Sequence, residues 1–108
     1  MAGSVIRQGP LTISISTSGA APAFSVRLRQ KMEAEFGPEY KTYLDWLQSI
    51  RPGMKQTHRD FPERKKRWYE VVDSEILELI RDDRLDEARE LLQEITEIEE
   101  LPLSLIHI

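Results

Sequence analysis

The spacing of the apolar residues changes once along this chain, at Pro22, and that change constrains the fold more than any other feature. Before it, Leu11-Thr12-Ile13-Ser14-Ile15-Ser16 alternates apolar with small polar residues. A period of two, rich in β-branched side chains, predicts a strand. Gly9-Pro10 marks its start. Thr17-Ser18-Gly19-Ala20-Ala21 predicts a tight turn, with Gly19 free to take a positive φ. Pro22 suits the first turn of a helix, where its missing N–H costs nothing. A single strand cannot satisfy its own backbone groups or cover both faces. It is therefore expected to pair with strands outside this sequence, from a second copy or from a longer protein.

After Pro22 the period is helical. Phe24, Leu28, Met32 and Phe36 recur every four residues and form one apolar stripe, which Gly37-Pro38 ends. Tyr40, Tyr43, Leu44, Leu47 and Met54 form the next, interrupted by Pro52-Gly53. Asp60-Phe61-Pro62-Glu63 has the spacing of a capped helix start. Trp68, Val71, Val72, Ile76 and Leu79 line the helix that follows, with a break near Asp73-Ser74. Asp83-Arg84-Leu85-Asp86 reads as another capped start, after which Leu85, Ala88, Leu91, Leu92 and Ile95 face one way. The expected class is α+β, mostly α, with the acidic residues from Glu94 to Glu100 fraying.

With 108 residues, 40% apolar and 31% charged, the chain can bury a core but is no larger than one small domain or the end of a bigger one. It has no cysteine, which excludes disulfides and cysteine-bound zinc. No apolar run approaches the roughly 20 residues of a membrane span, and Met1-Ala2-Gly3-Ser4 lacks the basic and apolar regions of a signal peptide. A cytoplasmic protein without a membrane partner is expected. The net charge of −4 is uneven: residues 51–67 carry seven basic and two acidic groups, and residues 70–100 carry three basic and thirteen acidic ones. A basic island of that kind faces either solvent or an anionic ligand.

The strand–turn–helix Ser16-Thr17-Ser18-Gly19-Ala20-Ala21-Pro22 is the strongest candidate site. Ligands of parallel sheets sit at the carboxyl ends of strands, and a helix N-terminus offers unpaired N–H groups. Three hydroxyls there could hold a carboxylate or phosphate; capping the helix is the plainer use for them. It is not a P-loop, since no Gly-Lys-Ser/Thr follows, nor a dinucleotide fingerprint, since it has one glycine. Lys55, His58, Arg59, Arg64, Lys65, Lys66 and Arg67 beside Trp68 and Tyr69 could suggest nucleic acid. Trp68 instead has the spacing of a core residue, and the chain as a whole is acidic, so no nucleic-acid partner is expected. His58 and His107 lack partners at metal-ligand spacing, so no metal site is expected; His58 reads as a surface residue.

Gly9-Pro10-Leu11-Thr12-Ile13-Ser14-Ile15-Ser16-Thr17-Ser18-Gly19-Ala20-Ala21-Pro22-Ala23-Phe24 resembles the Gly-x-Leu-x-Ile-x-Ile-Ser-Thr-x-Gly-x-Ser-Pro-Ala-Leu segment of the precorrin-2 dehydrogenase/sirohydrochlorin ferrochelatase family, which makes siroheme. The likeness continues through Arg27-Leu28-Arg29 and Glu33. It resumes at Met54-Lys55 and at Glu63-Arg64-Lys65-Lys66-Arg67-Trp68-Tyr69-Glu70, so it covers nearly all of residues 5–97. The resemblance implies that residues 1–19 end an NAD-binding Rossmann-like domain, with Leu11–Ser16 its last strand, and that residues 20–98 form a helical dimerisation domain. It implies NAD as cofactor, a precorrin-2 or sirohydrochlorin tetrapyrrole as substrate, ferrous iron as the metal that some members insert, and a homodimer. The glycine-rich dinucleotide loop and the catalytic aspartate of the family lie upstream of the matched segment, so no catalytic residue is carried over. Ser16, Thr17, Ser18, Gly19, Ala20, Ala21 and Pro22 would form a wall of the tetrapyrrole and NAD cleft. Ala21 stands where family members often carry a serine, in some a phosphorylation site, so neither a hydroxyl contact nor phosphoregulation carries over to it. Two other classes fit the same residues: a non-enzymatic helical interaction module, and an oxidoreductase domain of different specificity.

The end of the chain breaks the charged helical pattern. Leu103-Ser104-Leu105-Ile106-His107-Ile108 follows Pro102 abruptly, and one reading frame of a common transposase-end sequencing adapter encodes these six residues. Residues 99–108 are thus read as a frayed tail, and 103–108 as adapter-derived. Resequencing the source DNA should replace codons 103–108 with different coding sequence; recovery of the same codons followed by an ordinary reading frame would refute that origin.

Overall fold

The computed structural model describes residues 4–106. Met1-Ala2-Gly3, and His107 and Ile108 of the adapter-like segment, lie outside the described residues. The elements run β1 (Ser4–Gln8), β2 (Leu11–Ile15), α1 (Pro22–Glu35), α2 (Glu39–Ser49), α3 (Arg51–Thr57), α4 (Phe61–Val72), α5 (Ile76–Arg81), α6 (Leu85–Thr96) and α7 (Leu103–Ile106). The mostly helical α+β class agrees with the spacing. Contacts divide the chain into two compact units, one ending at Leu44 and one starting at Asp45.

In the first unit the strand Leu11–Ile15 finds a partner within the chain, contrary to expectation. It pairs antiparallel with β1, with Gln8 opposite Leu11, Ile6 opposite Ile13 and Ser4 opposite Ile15. Gly9-Pro10 is therefore the two-residue loop of a hairpin. Gly9 has φ +59 while proline holds φ negative, the sign pattern of a type II′ turn. A side chain at Gly9 would also meet Lys41 Cγ at 2.4 Å and the Lys41 Cα at 3.2 Å, so glycine is required on two counts. Ile6 and Ile15 are buried, and α1 packs against both strands. The second edge of β2 pairs with nothing among the described residues. Helix α1 groups with the strands in the first unit. Leu28, Met32 and Phe36 of the α1 stripe are half-buried and Phe24 is exposed; Phe36 stacks on Tyr40 with ring centroids 5.0 Å apart.

The second unit buries Trp46, Ile50, Met54, Val71, Ile76, Leu79, Ile80, Ala88, Leu92, Ile98, Leu101 and Leu105. Its helix ends follow local chemistry. Asp60 caps α4 by accepting the Glu63 N–H at 3.2 Å. The expected break falls at Ser74, whose Oγ donates to Val71 O at 2.6 Å and accepts from the Ile76 N–H at 3.3 Å. Asp83, expected to cap α6, instead closes α5. It sits at φ +59, its N–H reaches Ile80 O, and the Arg84 N–H reaches Leu79 O at 2.8 Å. This is a Schellman closure, which uses the left-handed conformation that Asp tolerates.

The end of α6 is the largest departure from the spacing. It does not fray, because side chains satisfy its last carbonyls and those just beyond it. Arg67 Nη1 donates to Ile95 O at 3.2 Å. His58 Nε2 lies 2.6 Å from Thr96 O. Gln93 Nε2 donates to Ile98 O and Glu99 O. His58, expected at the surface, is buried by this bond. Beyond it Leu101 and Leu105 are buried, Arg89 Nη1 donates to Leu105 O at 2.9 Å, and Ser104 Oγ to Ser49 Oγ at 3.1 Å. Residues 99–106 are thus packed rather than frayed. An apolar segment buries itself on apolar surface whatever codons encode it, so the packing leaves the question of origin to resequencing. Fully burying a leucine is worth about 1.5–3 kcal/mol. A chain ending at Pro102 should lose about that much stability, read as a lower urea midpoint; an unchanged midpoint would mean that Leu105 contributes nothing.

Candidate functional site

The seven residues singled out from the sequence form one continuous turn between β2 and α1. Thr17 O accepts the Ala20 N–H at 3.0 Å, and the two residues between, Ser18 at φ +55 and Gly19 at φ +79, are both left-handed, as in a type I′ turn. Gly19 adopts this at no steric cost; Ser18 does so as the less usual residue. Two of the three hydroxyls serve the turn itself. Ser16 Oγ accepts the Ser18 N–H at 3.2 Å and Thr17 Oγ1 accepts the Ala21 N–H at 3.2 Å. The local use of the hydroxyls is therefore present, and their O–H groups remain available as donors. Ser16, Ser18, Gly19, Ala20 and Pro22 are exposed.

Ala21 is the N-cap of α1 and supplies no side-chain hydrogen bond. Pro22 occupies the first helical position, so the first N–H groups with no intrahelical acceptor are those of Ala23 and Phe24. The turn thus presents hydroxyls and two backbone N–H groups, and none of its seven residues is a titratable acid or base. It can hold an anion or line a cleft; it cannot transfer a proton. Nor does it make a dinucleotide site by itself, because it has one glycine where the fingerprint needs three, and no step through a nicotinamide is assigned to these residues.

The second unit adds a group that the sequence marked only as part of a basic island. Arg51, Lys55 and Arg59 are exposed, and none makes an ion pair among the described residues. Arg64 and Arg67, from the same island, are used structurally. Arg64 Nη1 donates to His58 O at 3.1 Å, and Arg67 pairs with Glu63 at 3.0 Å and Glu97 at 2.8 Å. Spacing alone could not separate the two sets, since the difference lies in what each side chain meets across the fold. Among the described residues no group of His, Asp or Glu is placed to hold a metal, and no helix is long and apolar enough to cross a membrane.

Residues 8–35, which span β2, the turn and α1, match the central region of the sirohaem biosynthesis proteins. Residues 40–95, just over half of the chain, match the sirohaem synthase dimerisation region. The chain belongs to the sirohaem synthase family. Among its relatives, the siroheme synthase of Pseudoalteromonas translucida (strain TAC 125) is 28% identical over 90 residues, 83% of this chain and 19% of that protein. The precorrin-2 dehydrogenase of Methanosarcina barkeri (strain Fusaro / DSM 804) is 38% identical over 72 residues, 67% of this chain and 32% of that protein. The solved structure of SirC, a precorrin-2 dehydrogenase, shares the fold with a TM-score of 0.69 at 23% identity, over 90% of this chain and 47% of that one. The chain spans about a fifth to a third of the length of these curated relatives.

Within this family fold the missing cap at Ala21 has a measurable consequence. A serine at an N-cap outperforms alanine by about 0.5–2 kcal/mol. Ala21→Ser should therefore raise the stability of the chain by about 1 kcal/mol in urea unfolding. No gain would mean that the Thr17 Oγ1 bond to the Ala21 N–H already does the work of a cap.

Proposed function

We propose that this chain is part of an NAD-dependent precorrin-2 dehydrogenase, which oxidises precorrin-2 to sirohydrochlorin and in which some relatives also insert ferrous iron as a second substrate. The observation that carries this reading is the order of the two family matches, the central region at residues 8–35 followed by the dimerisation region at residues 40–95. That is the order implied by the resemblance of Gly9–Phe24 and of the basic run at Glu63–Glu70. In this reading the open edge of β2 continues into the rest of a nucleotide-binding sheet, which brings the dinucleotide loop and the catalytic aspartate.

The part played by the residues present is binding. Ser16, Thr17, Ser18, Gly19, Ala20, Ala21 and Pro22 line the cleft, and their hydroxyls, with the N–H groups of Ala23 and Phe24, donate to carboxylates of the substrate. The substrate carries many carboxylates, and charge-assisted hydrogen bonds from cations are the strong way to hold such groups. In the second unit, Arg51, Lys55 and Arg59 are exposed positive charge of the kind such carboxylates bind. The second unit joins two subunits into a homodimer.

Purified residues 1–108 should give no NAD-dependent oxidation of precorrin-2, followed by absorbance. Joined to an upstream reading frame with a glycine-rich strand–helix start, the same residues should turn over. In that restored protein, replacing Arg51, Lys55 and Arg59 together with Gln should raise KM about tenfold, roughly 1.4 kcal/mol, with little change in kcat. Turnover by the 108-residue chain alone, or a restored protein inactive towards precorrin-2, would overturn the reading.

A further inference from the structure

The turn α7 is held on the second unit by one side chain and a few polar contacts. Leu105 is fully buried, while Leu103 and Ile106 on either side of it are 68% and 51% exposed. One apolar residue of the turn thus serves as an anchor and the other two do not. Pro102 O accepts the Leu105 N–H at 3.0 Å, which closes the turn. The groups that receive it come from α2 and α6. Ser104 Oγ donates to Ser49 Oγ at 3.1 Å, and Arg89 Nη1 donates to Leu105 O at 2.9 Å. The same guanidinium lies over the Trp46 ring, 5.9 Å from its centroid. Trp46 and Ser49 are three residues apart and share a face of α2.

Trp46 adds an observation of a different kind. It is 2% exposed, and its indole Nε1 is buried with no hydrogen-bond partner among the described residues. Buried indole N–H groups ordinarily find an acceptor. This one stands one guanidinium away from the seated turn, so the seat offers a donor that Leu103–Ile106 leave unused. Trp46, Ser49 and Arg89 all lie within residues 40–95, the matched dimerisation region. The seat is therefore a property of the helical unit whatever codons encode its occupant.

We propose that Trp46, Ser49 and Arg89 form a docking seat for the segment of this chain that follows Pro102, taken as one helical turn with a single apolar anchor, and that Trp46 Nε1 is the donor for an acceptor side chain on such a segment. The anchor and the carbonyl held by Arg89 are contacts that a leucine in many turns can make; the acceptor is the sequence-specific part. The chain's own segment is the favoured occupant because Leu101, four residues before the anchor, is itself buried in the unit. That tether holds the segment at a high effective concentration, which a free peptide of another protein lacks. The seat fixes the path of the chain as it leaves α6, and it stands independently of the dehydrogenase reading.

Nitrogen-15 NMR on the 108-residue chain reads the seat directly. The chain has two tryptophans, so the Trp46 indole N–H gives one of two indole cross-peaks and is assigned by its loss in Trp46→Phe. Leu105→Asp should release the turn and shift that peak while the helical circular dichroism persists; Leu105→Ser is the milder variant should the charge unfold the unit. A synthetic peptide of residues 101–106, added at about 1–10 mM to match the effective concentration of a short tether, should return the peak of the released variant to its parent position. The parent chain should not respond to the peptide, nor the variant to a peptide carrying Leu105→Asp. In the full chain, Leu103→Asn, Ser104→Asn and Ile106→Asn are tried in turn, and one of them should slow exchange of the Trp46 N–H with water at least about tenfold by supplying its acceptor. A Trp46 peak indifferent to release, or a peptide that fails to restore it, would overturn the seat. Unfolding by both Leu105 variants would overturn it too, since Leu105 would then be a core residue rather than a docked one. Three Asn variants that all leave exchange unchanged would overturn the role of Trp46 Nε1.

Discussion

The carbonyls at the end of α6 are the point on which the second unit depends. The last carbonyls of any helix lack intrahelical donors, and leaving them buried and unpaired costs about as much as losing a hydrogen bond each. Here His58 after α3 donates to Thr96 O and Arg67 on α4 to Ile95 O. Each of these bonds also ties α6 to another part of the unit, while Gln93 donates past the helix end to Ile98 O. With the exit of α6 held, Ile98 and Leu101 are placed in the core, and Ile98 comes within 3.1 Å of where a side chain on Gly53 would stand. A glycine in the short helix α3 is explained by that close approach rather than by flexibility.

The first unit is organised differently. Its hairpin has a buried side, formed by Ile6 and Ile15 under α1, and a side where Arg7, Thr12 and Ser14 meet solvent. An alternating strand of this sort is at home in an antiparallel pair. The strand leads directly into a turn whose hydroxyls stabilise its own backbone and whose helix lacks a side-chain cap. Serving the turn and serving a ligand do not conflict, since a hydroxyl that accepts from a backbone N–H still has its own proton to donate.

The division of the basic island shows how charge acquires different meanings in one stretch of chain. Arg64 and Arg67 are spent on carbonyls and carboxylates of the unit itself. Arg51, Lys55, Arg59, Lys65 and Lys66 face solvent. All seven are basic and lie within 17 positions. Exposed ion pairs contribute only about 0–1 kcal/mol each, so leaving these cations unpaired costs the unit little stability.

Much of the local structure was legible in the residues. Period-two alternation marked β2, four-residue spacing marked α1, Pro22 marked its start, Asp60 and Glu63 marked the start of α4, and Gly19 marked a left-handed turn; each depends on atoms no more than a few residues apart. The seven turn residues were likewise gathered correctly into one loop, because they are contiguous. The strand β1 was missed because Ser4–Gln8 holds only two apolar residues, and Val5 and Ile6 are adjacent rather than alternating. What the sequence could not decide depended on partners far along the chain. His58 is buried because Thr96, 38 residues away, offers a carbonyl. Asp83 closes α5 rather than opening α6 because Leu79 O and Ile80 O capture the two N–H groups beside it. The acidic end of α6 is ordered because Arg67 reaches it, and Val71 points into the core while Val72 points out. Periodicity reports that a helix has an apolar stripe; only packing determines which side of that stripe the rest of the molecule covers.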